Sequence, residues 1–166
     1  NKGHVVASDQ ILLSSATESP EKSRMSSSPN IKEDGDLITV SSKEYEAVFS
    51  KKTGTLTSLK VGGKQVLATN LHGVTGPRLT CMRALGDNDI WLNRGNSPFR
   101  AFGLTQLNYQ AKGITVTNNA DGSIDVKTYV DVTGSKGAGF DHESTYSFNM
   151  DGTITIKNDI RFYLLG

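Results

Sequence analysis

The chain has 166 residues, 18 of them basic and 17 acidic, giving a formal charge of +1. That length supports one sizeable domain or one domain with appendages, and the near-neutral balance supplies no global field to recruit nucleic acid or an anionic membrane. No apolar run approaches the roughly 20 residues a spanning helix needs. A single cysteine, Cys81, excludes an intrachain disulfide and any Cys/His zinc pattern. Its apolar neighbours predict a buried structural thiol rather than a nucleophile.

The chain opens on Asn1 with no leader pattern, which predicts a piece of a longer protein. Residues 4–13, with His4-Val5-Val6 and Ile11-Leu12-Leu13, have the β-branched and apolar content of a strand. Residues 14–36 are rich in Ser, Pro, Glu, Lys and Asp, offer little to bury, and read as a linker or long surface loop. From Leu37 the pattern becomes short strands separated by turns. Lys52-Thr53-Gly54 separates 45–49 from 56–61, and Gly62-Gly63 separates that strand from 65–67. Residues 68–80 and 91–105 lack alternation and are expected to be long loops. Asp121-Gly122 then divides 114–117 from 124–132, and Asp151-Gly152 divides 144–148 from 153–162. Asp-Gly between alternating runs is a strong hairpin signal, because both residues tolerate positive φ.

Ile124, Val126 and Thr128 share one strand face, and Ile154, Ile156, Asn158 and Ile160 share another. Period-2 patterning of this kind belongs to an antiparallel sheet with one buried side, and no segment sustains a 3.6-residue stripe. The expected class is all-β, an antiparallel β-sandwich. No turn or cap follows Phe162-Tyr163-Leu164-Leu165-Gly166, which predicts that a larger sheet is still being built at that point.

The densest chemistry lies in Arg83-Ala-Leu-Gly-Asp-Asn-Asp-Ile-Trp91, where Arg83, Asp87, Asn88, Asp89 and the only tryptophan, Trp91, fall within nine residues. A flat apolar ring beside directional hydrogen-bonding groups is what a sugar-binding surface needs. A polar turn anchored by one buried Trp is the simpler alternative. A calcium loop fails, since Trp91 and Pro98 stand where oxygen ligands belong. Gly62-Gly63-Lys64 has no following helix to aim amides at a phosphate, and reads as a hairpin tip. His4, His72 and His142 have no neighbouring nucleophile pattern, so a hydrolytic triad finds no signal. The pairs Glu44/Glu46, Asp87/Asp89 and Asp141/Glu143 each share a strand face if extended. A retaining glycosidase places its two carboxyls about 5–5.5 Å apart, yet solvated strand-end charges are the plainer account of the first and last pairs. Asp87 and Asp89 suit binding better than acid–base chemistry.

From Leu37 to Gly166 the chain resembles the first half of the C-terminal, small-chain domain of bacterial β-galactosidases of glycoside hydrolase family 2. The resemblance is carried by the run from Phe49 through Gly54 and Leu56 to Leu67, by Gly76-Pro-Arg-Leu79, and by Arg83-Ala-Leu-Gly-Asp-Asn-Asp89. These follow the family's F-x-x-x-x-G-x-L, G-P and R-A-P-x-D-N-D patterns in order and spacing. Leu85 stands where the family has proline, which loosens the backbone there. The stretch 93–102 varies within the family and does not align. Gly3 to Ile11 resembles the strand that closes the preceding immunoglobulin-like domain in such enzymes. The implied organisation is therefore 1–13 as that closing strand, 14–36 as linker and 37–166 as the start of the small-chain sandwich.

The resemblance implies a partial supersandwich of the galactose-mutarotase-like kind, within a bacterial enzyme, cytoplasmic or periplasmic, that hydrolyses terminal β-D-galactosides with retention. Its catalytic glutamates would lie in a (β/α)₈ barrel upstream, so this stretch is expected to be inactive alone. Its Mg and Na ions would sit in other domains, and no cofactor or metal is expected here. Arg83, Asp87, Asn88 and Asp89 match motif positions and Trp91 adjoins them. All five are candidates for the active-site rim, with Arg83 and Asp87 favoured as braces for the loop. The expected partners are the remaining domains and a β-galactoside, without nucleic acid or membrane, and a homo-oligomer is allowed. The alternative is a stand-alone carbohydrate-binding or structural interaction module with Trp91 as platform.

Overall fold

The computed structural model describes residues 28–68, 76–81 and 98–164. Within them, nine strands form two antiparallel sheets. The first sheet runs in chain order through β1 (Asn30–Asp34), β2 (Leu37–Ser41), β3 (Tyr45–Ser50), β4 (Thr55–Val61) and β5 (Lys64–Gln65). A one-turn helix, α1 (Pro98–Ala101), precedes the second. That sheet is a meander of four long strands, β6 (Leu107–Asn118), β7 (Ile124–Gly134), β8 (Ala138–Phe148) and β9 (Ile154–Leu164). The expectation of an all-β sandwich holds, while α1 breaks the loop expected over 91–105.

Alternation dictates the contact between the sheets. Ile38 and Val40 of β2, Tyr45, Ala47 and Phe49 of β3, and Leu56 of β4 form the inner face of the first sheet. They meet Ile124, Val126, Tyr146 and Phe148 of the second, with Phe49 fully buried and edge-on to both Tyr146 (5.0 Å, 71°) and Phe148 (6.1 Å, 87°). Edge-to-face rings at these separations add to the area they bury.

Of the stretch 14–36 read as linker, residues 14–27 lie outside the described residues, and its last part holds a strand. β1 begins at Asn30 and pairs along its length with β2, although only Ile31 packs against the core. Its burial pattern is otherwise exposed, so backbone pairing holds it, and a composition of Lys32, Glu33 and Asp34 conceals that.

Two loops at one end of the second sheet are built alike. Asn119-Ala-Asp-Gly-Ser123 and Asn149-Met-Asp-Gly-Thr153 each join neighbouring strands. In each, the aspartate accepts from the backbone N–H two residues on (3.0 Å in both) and from the hydroxyl of the same residue (2.7 and 2.6 Å). The asparagine side chain donates to that hydroxyl at 3.0 Å in both. Aspartate that closes its own turn in this way competes successfully with extended structure.

β6 contains a bulge. Ala111 opposes Val130 and Gly113 opposes Tyr129, leaving Lys112 as the extra residue. Inward positions therefore switch from Leu107, Tyr109 and Ala111 to Ile114 and Val116. β9 shows no such break against β8. Ile154, Ile156, Asn158 and Ile160 share a face as expected, and Phe162 and Leu164 continue it. Ile154 packs against the core and the Phe162 ring touches buried Phe140 (5.7 Å between centroids), while Ile156, Ile160, Phe162 and Leu164 remain exposed. The first sheet covers one end of the second sheet's inner face and does not reach along β9.

Candidate functional site

Arg83, Asp87, Asn88, Asp89 and Trp91 lie outside the described residues, as do His4 and His72. The chain on either side of them is described, and both flanks are tied to the second sheet. On the N-terminal side, Leu79 and Cys81 pack against the buried cluster of Val130, Val132 and Phe140. Tyr109 donates its hydroxyl to the Leu79 carbonyl at 2.9 Å, and the Arg78 guanidinium sits over the Tyr109 ring, 4.9 Å from its centroid. Cation and ring face attract at that distance. On the C-terminal side, the Gly103 carbonyl accepts from the Ser135 N–H at 3.1 Å, tying the end of α1 to the β7–β8 turn. Gly103 N–H in turn donates to the Arg100 carbonyl at 3.1 Å. Both flanks thus attach to the end of the sheet that carries that turn.

The glycines of the sequence patterns have structural reasons. Gly54 (φ +64) sits between β3 and β4, and a Cβ there would stand 2.9 Å from Val130 Cγ2 and 3.3 Å from Ala111 Cβ. It is where the first sheet leans on the second, between Phe49 and Leu56, which both enter the core. Gly76 (φ +86) lies so close to β4 that a Cβ would overlap the Leu56 carbonyl oxygen. Both need positive φ and the absence of a side chain.

The remaining candidates separate clearly. Glu46 is paired with Lys60 at 2.8 Å, and the Glu44 carboxylate lies 3.4 Å from the Ser42 hydroxyl. Gly62-Gly63 is a two-residue hairpin tip with both φ values positive (55° and 75°), as expected. Burial raises the Cys81 thiol pKa, in keeping with a structural role.

Sequence reasoning missed one constellation. His142 Nε2 lies 3.0 Å from Ser144 Oγ and 2.9 Å from Asn158 Oδ1, and Ser144 Oγ donates to the same Oδ1 at 2.8 Å. Its signal was available: β8 and β9 pair His142 with Ile160 and Ser144 with Asn158. Asn158 Oδ1 can only accept, so Nε2 carries the proton and the serine proton points to an amide oxygen. A hydrolytic serine must give its proton to the imidazole, so this arrangement holds two strands together and does not activate a nucleophile. Asp141 and Glu143 do share a face of β8, the one turned away from the first sheet. Among the described residues, no group of three or more His, Cys, Asp or Glu side chains is placed to hold a metal ion.

These features define a β-sandwich domain with no hydrolytic triad or metal centre assembled among its described residues. A family model described as beta galactosidase small chain matches residues 41–163. The chain belongs to that family. A comparison with curated proteins finds no match.

Proposed function

We propose that this chain is the beginning of the small-chain domain of a family 2 β-galactosidase that cleaves terminal β-D-galactosides with retention, and that it contributes no catalytic carboxylate itself. The observation that carries this reading is the family match over 41–163. It embraces Phe49, Gly54 and Leu56 at the contact between the sheets and the Gly76–Leu79 segment that leads to Arg83. In this reading the domain is galactose-mutarotase-like, and Arg83, Asp87, Asn88, Asp89 and Trp91 shape the rim of a pocket whose acid/base and nucleophile belong to a barrel domain. The anchoring of both flanks at one end of the second sheet suits a loop presented to a neighbouring domain. The partners are that barrel, the other domains of the enzyme and the galactoside.

The test has two arms. The chain alone, given a chromogenic β-galactoside, turns over none. Grafted in place of the equivalent segment of a bacterial family 2 β-galactosidase, it supports hydrolysis, and Asp89→Ala or Trp91→Ala in the graft raises KM. Turnover by the isolated chain, or a folded graft indifferent to both substitutions, refutes the assignment.

A further inference from the structure

The outer face of the second sheet, turned away from the sandwich core, carries a depression of about 590 Å³ bordered by Lys112, Tyr129, Asp141, Glu143, Asp159 and Arg161. That volume falls in the range of small-molecule sites, roughly 300–1,000 Å³. The register explains the gathering. Tyr129 of β7 stands opposite Glu143 of β8, which stands opposite Asp159 of β9; in the adjacent row Asp131, Asp141 and Arg161 are aligned across the same strands.

Most charges in this patch are already engaged. Lys127 pairs with Glu143 and Lys157 with Asp159, each at 2.8 Å, while Asp131 receives the Tyr163 hydroxyl and lies 3.6 Å from Lys112. Tyr163 reaches Asp131 by lying across Gly139, where a Cβ would stand 2.9 Å from the ring carbon that bears its hydroxyl. Two groups are different. Asp141 and Arg161 face one another across β8 and β9, yet no ion pair within 4.0 Å joins them and neither side chain hydrogen-bonds to a described residue. A carboxylate and a guanidinium, both ready to bond, flank open space one row along from the half-buried ring of Tyr129.

The composition of the patch selects the ligand. Carboxylates Asp131, Asp141, Glu143 and Asp159 are matched by Lys112, Lys127, Lys157 and Arg161, four against four, so no net field favours an anion or a cation. What remains is local: a tyrosine face for apolar C–H surface, a carboxylate that accepts from paired hydroxyls, and a guanidinium that donates to oxygen. A neutral sugar offers all three complements. Tyr129 and Arg161 stand two strands apart and two residues along, about 12 Å, which suits two linked rings better than one.

We infer that the outer face of the β7–β8–β9 sheet is a carbohydrate subsite that takes a neutral disaccharide, with Tyr129 as the stacking platform and Asp141 and Arg161 as its hydrogen-bonding ends. This site is separate from the Arg83–Trp91 run and does not depend on the catalytic assignment proposed above.

Calorimetric titration and saturation-transfer NMR of the chain with lactose, using cellobiose as a second β-linked probe, test it. The expected result is saturable lactose binding with Kd on the order of 1 mM, insensitive to added salt. Tyr129→Ala weakens it roughly three- to tenfold, Asp141→Asn weakens it, and Tyr129→Phe, which keeps the platform, leaves it intact. Asp141 is exposed, so its variant tests the site even if Tyr129→Ala perturbs folding. Absence of saturable binding, or full affinity in both Tyr129→Ala and Asp141→Asn, overturns the inference. Binding abolished by Trp91→Ala and untouched by Tyr129→Ala also overturns it, while leaving the proposed rim standing.

Discussion

The Gly54 contact between the sheets can be tested by adding one methyl group. Gly54→Ala carries two costs. Its φ of +64° forces a Cβ into the left-handed region, about 1–2 kcal/mol. The new methyl would also stand 2.9 Å from Val130 Cγ2, closer than real Cβ atoms come, and 3.3 Å from Ala111 Cβ, tighter than most. Val130 is only 7% exposed and β-branched, so it cannot swing away cheaply, and overpacking of this kind costs about 1–3 kcal/mol. Gly35 is the internal control: its φ is +55° and nothing lies within 4 Å of its ideal Cβ. Gly35→Ala therefore incurs the backbone cost alone. In urea titrations with unchanged m-values, Gly54→Ala should be the less stable of the two by about 1–3 kcal/mol. Adding Val130→Ala to Gly54→Ala should recover part of that difference, because the two sites share one contact. Equal destabilisation by the two glycine variants, or strict additivity with Val130→Ala, would refute the claim that Gly54 marks a close approach between sheets.

Three further outcomes follow from particular side chains. The Tyr45 hydroxyl is buried with no hydrogen bond of good geometry, although the Ser42 side chain is near enough to act on it, so Tyr45→Phe should leave stability unchanged or raise it by about 1 kcal/mol in chemical denaturation; a loss of that size would mean the hydroxyl is bonded to Ser42 in solution. Hydrogen bonds from the Ser123 hydroxyl and N–H hold the Asp121 carboxyl below its usual range. A depressed folded-state value means the loop's stabilisation is present above the ordinary aspartate pKa and is lost as pH falls through the folded one. NMR titration should place the Asp121 midpoint below that of Asp121 in a Ser123→Ala variant; coincident midpoints would contradict the assignment. Burial pushes the Cys81 thiol up, so iodoacetamide at neutral pH should alkylate it more slowly than glutathione, and faster labelling would remove its structural reading.

The sequence was most readable where turn chemistry and alternation coincide. Asp121-Gly122, Asp151-Gly152 and Gly62-Gly63 all lie in connections between paired strands, and Ile124, Val126 and Thr128 are buried together. β6 was legible only over 114–117 because Lys112 shifts the inward positions by one residue, erasing period 2 across the bulge. β8 was under-read at its start because Gly139 and the polar inward pair His142 and Ser144 interrupt the apolar alternation. β1 was hidden by its charges. For β9 the pattern specified which residues share a face, but burial depends on what the opposite sheet reaches, and that is a property of the whole fold. The carbohydrate patch was illegible for a related reason: Tyr129, Asp141 and Arg161 come together only through three-strand register. Asp141 and Glu143 were visible as a pair but lacked the neighbours that give them meaning.

The bulge in β6 has a consequence for how this sheet can be extended. At Lys112 two residues stand against one, so the edge of β6, which pairs with no other described strand, offers backbone donors and acceptors that are locally out of step. β9 offers eleven residues in unbroken register, backed by the exposed apolar side chains of Ile156, Ile160, Phe162 and Leu164, with Asn158 among them. The four-stranded sheet is therefore polar in the sense that a growing filament is polar, with one terminus dulled and the other ready to template. Among the described strands, β9 is the regular edge for any strand that joins this sheet, from its own polypeptide or another, and such a strand must bring alternating apolar residues to dock there.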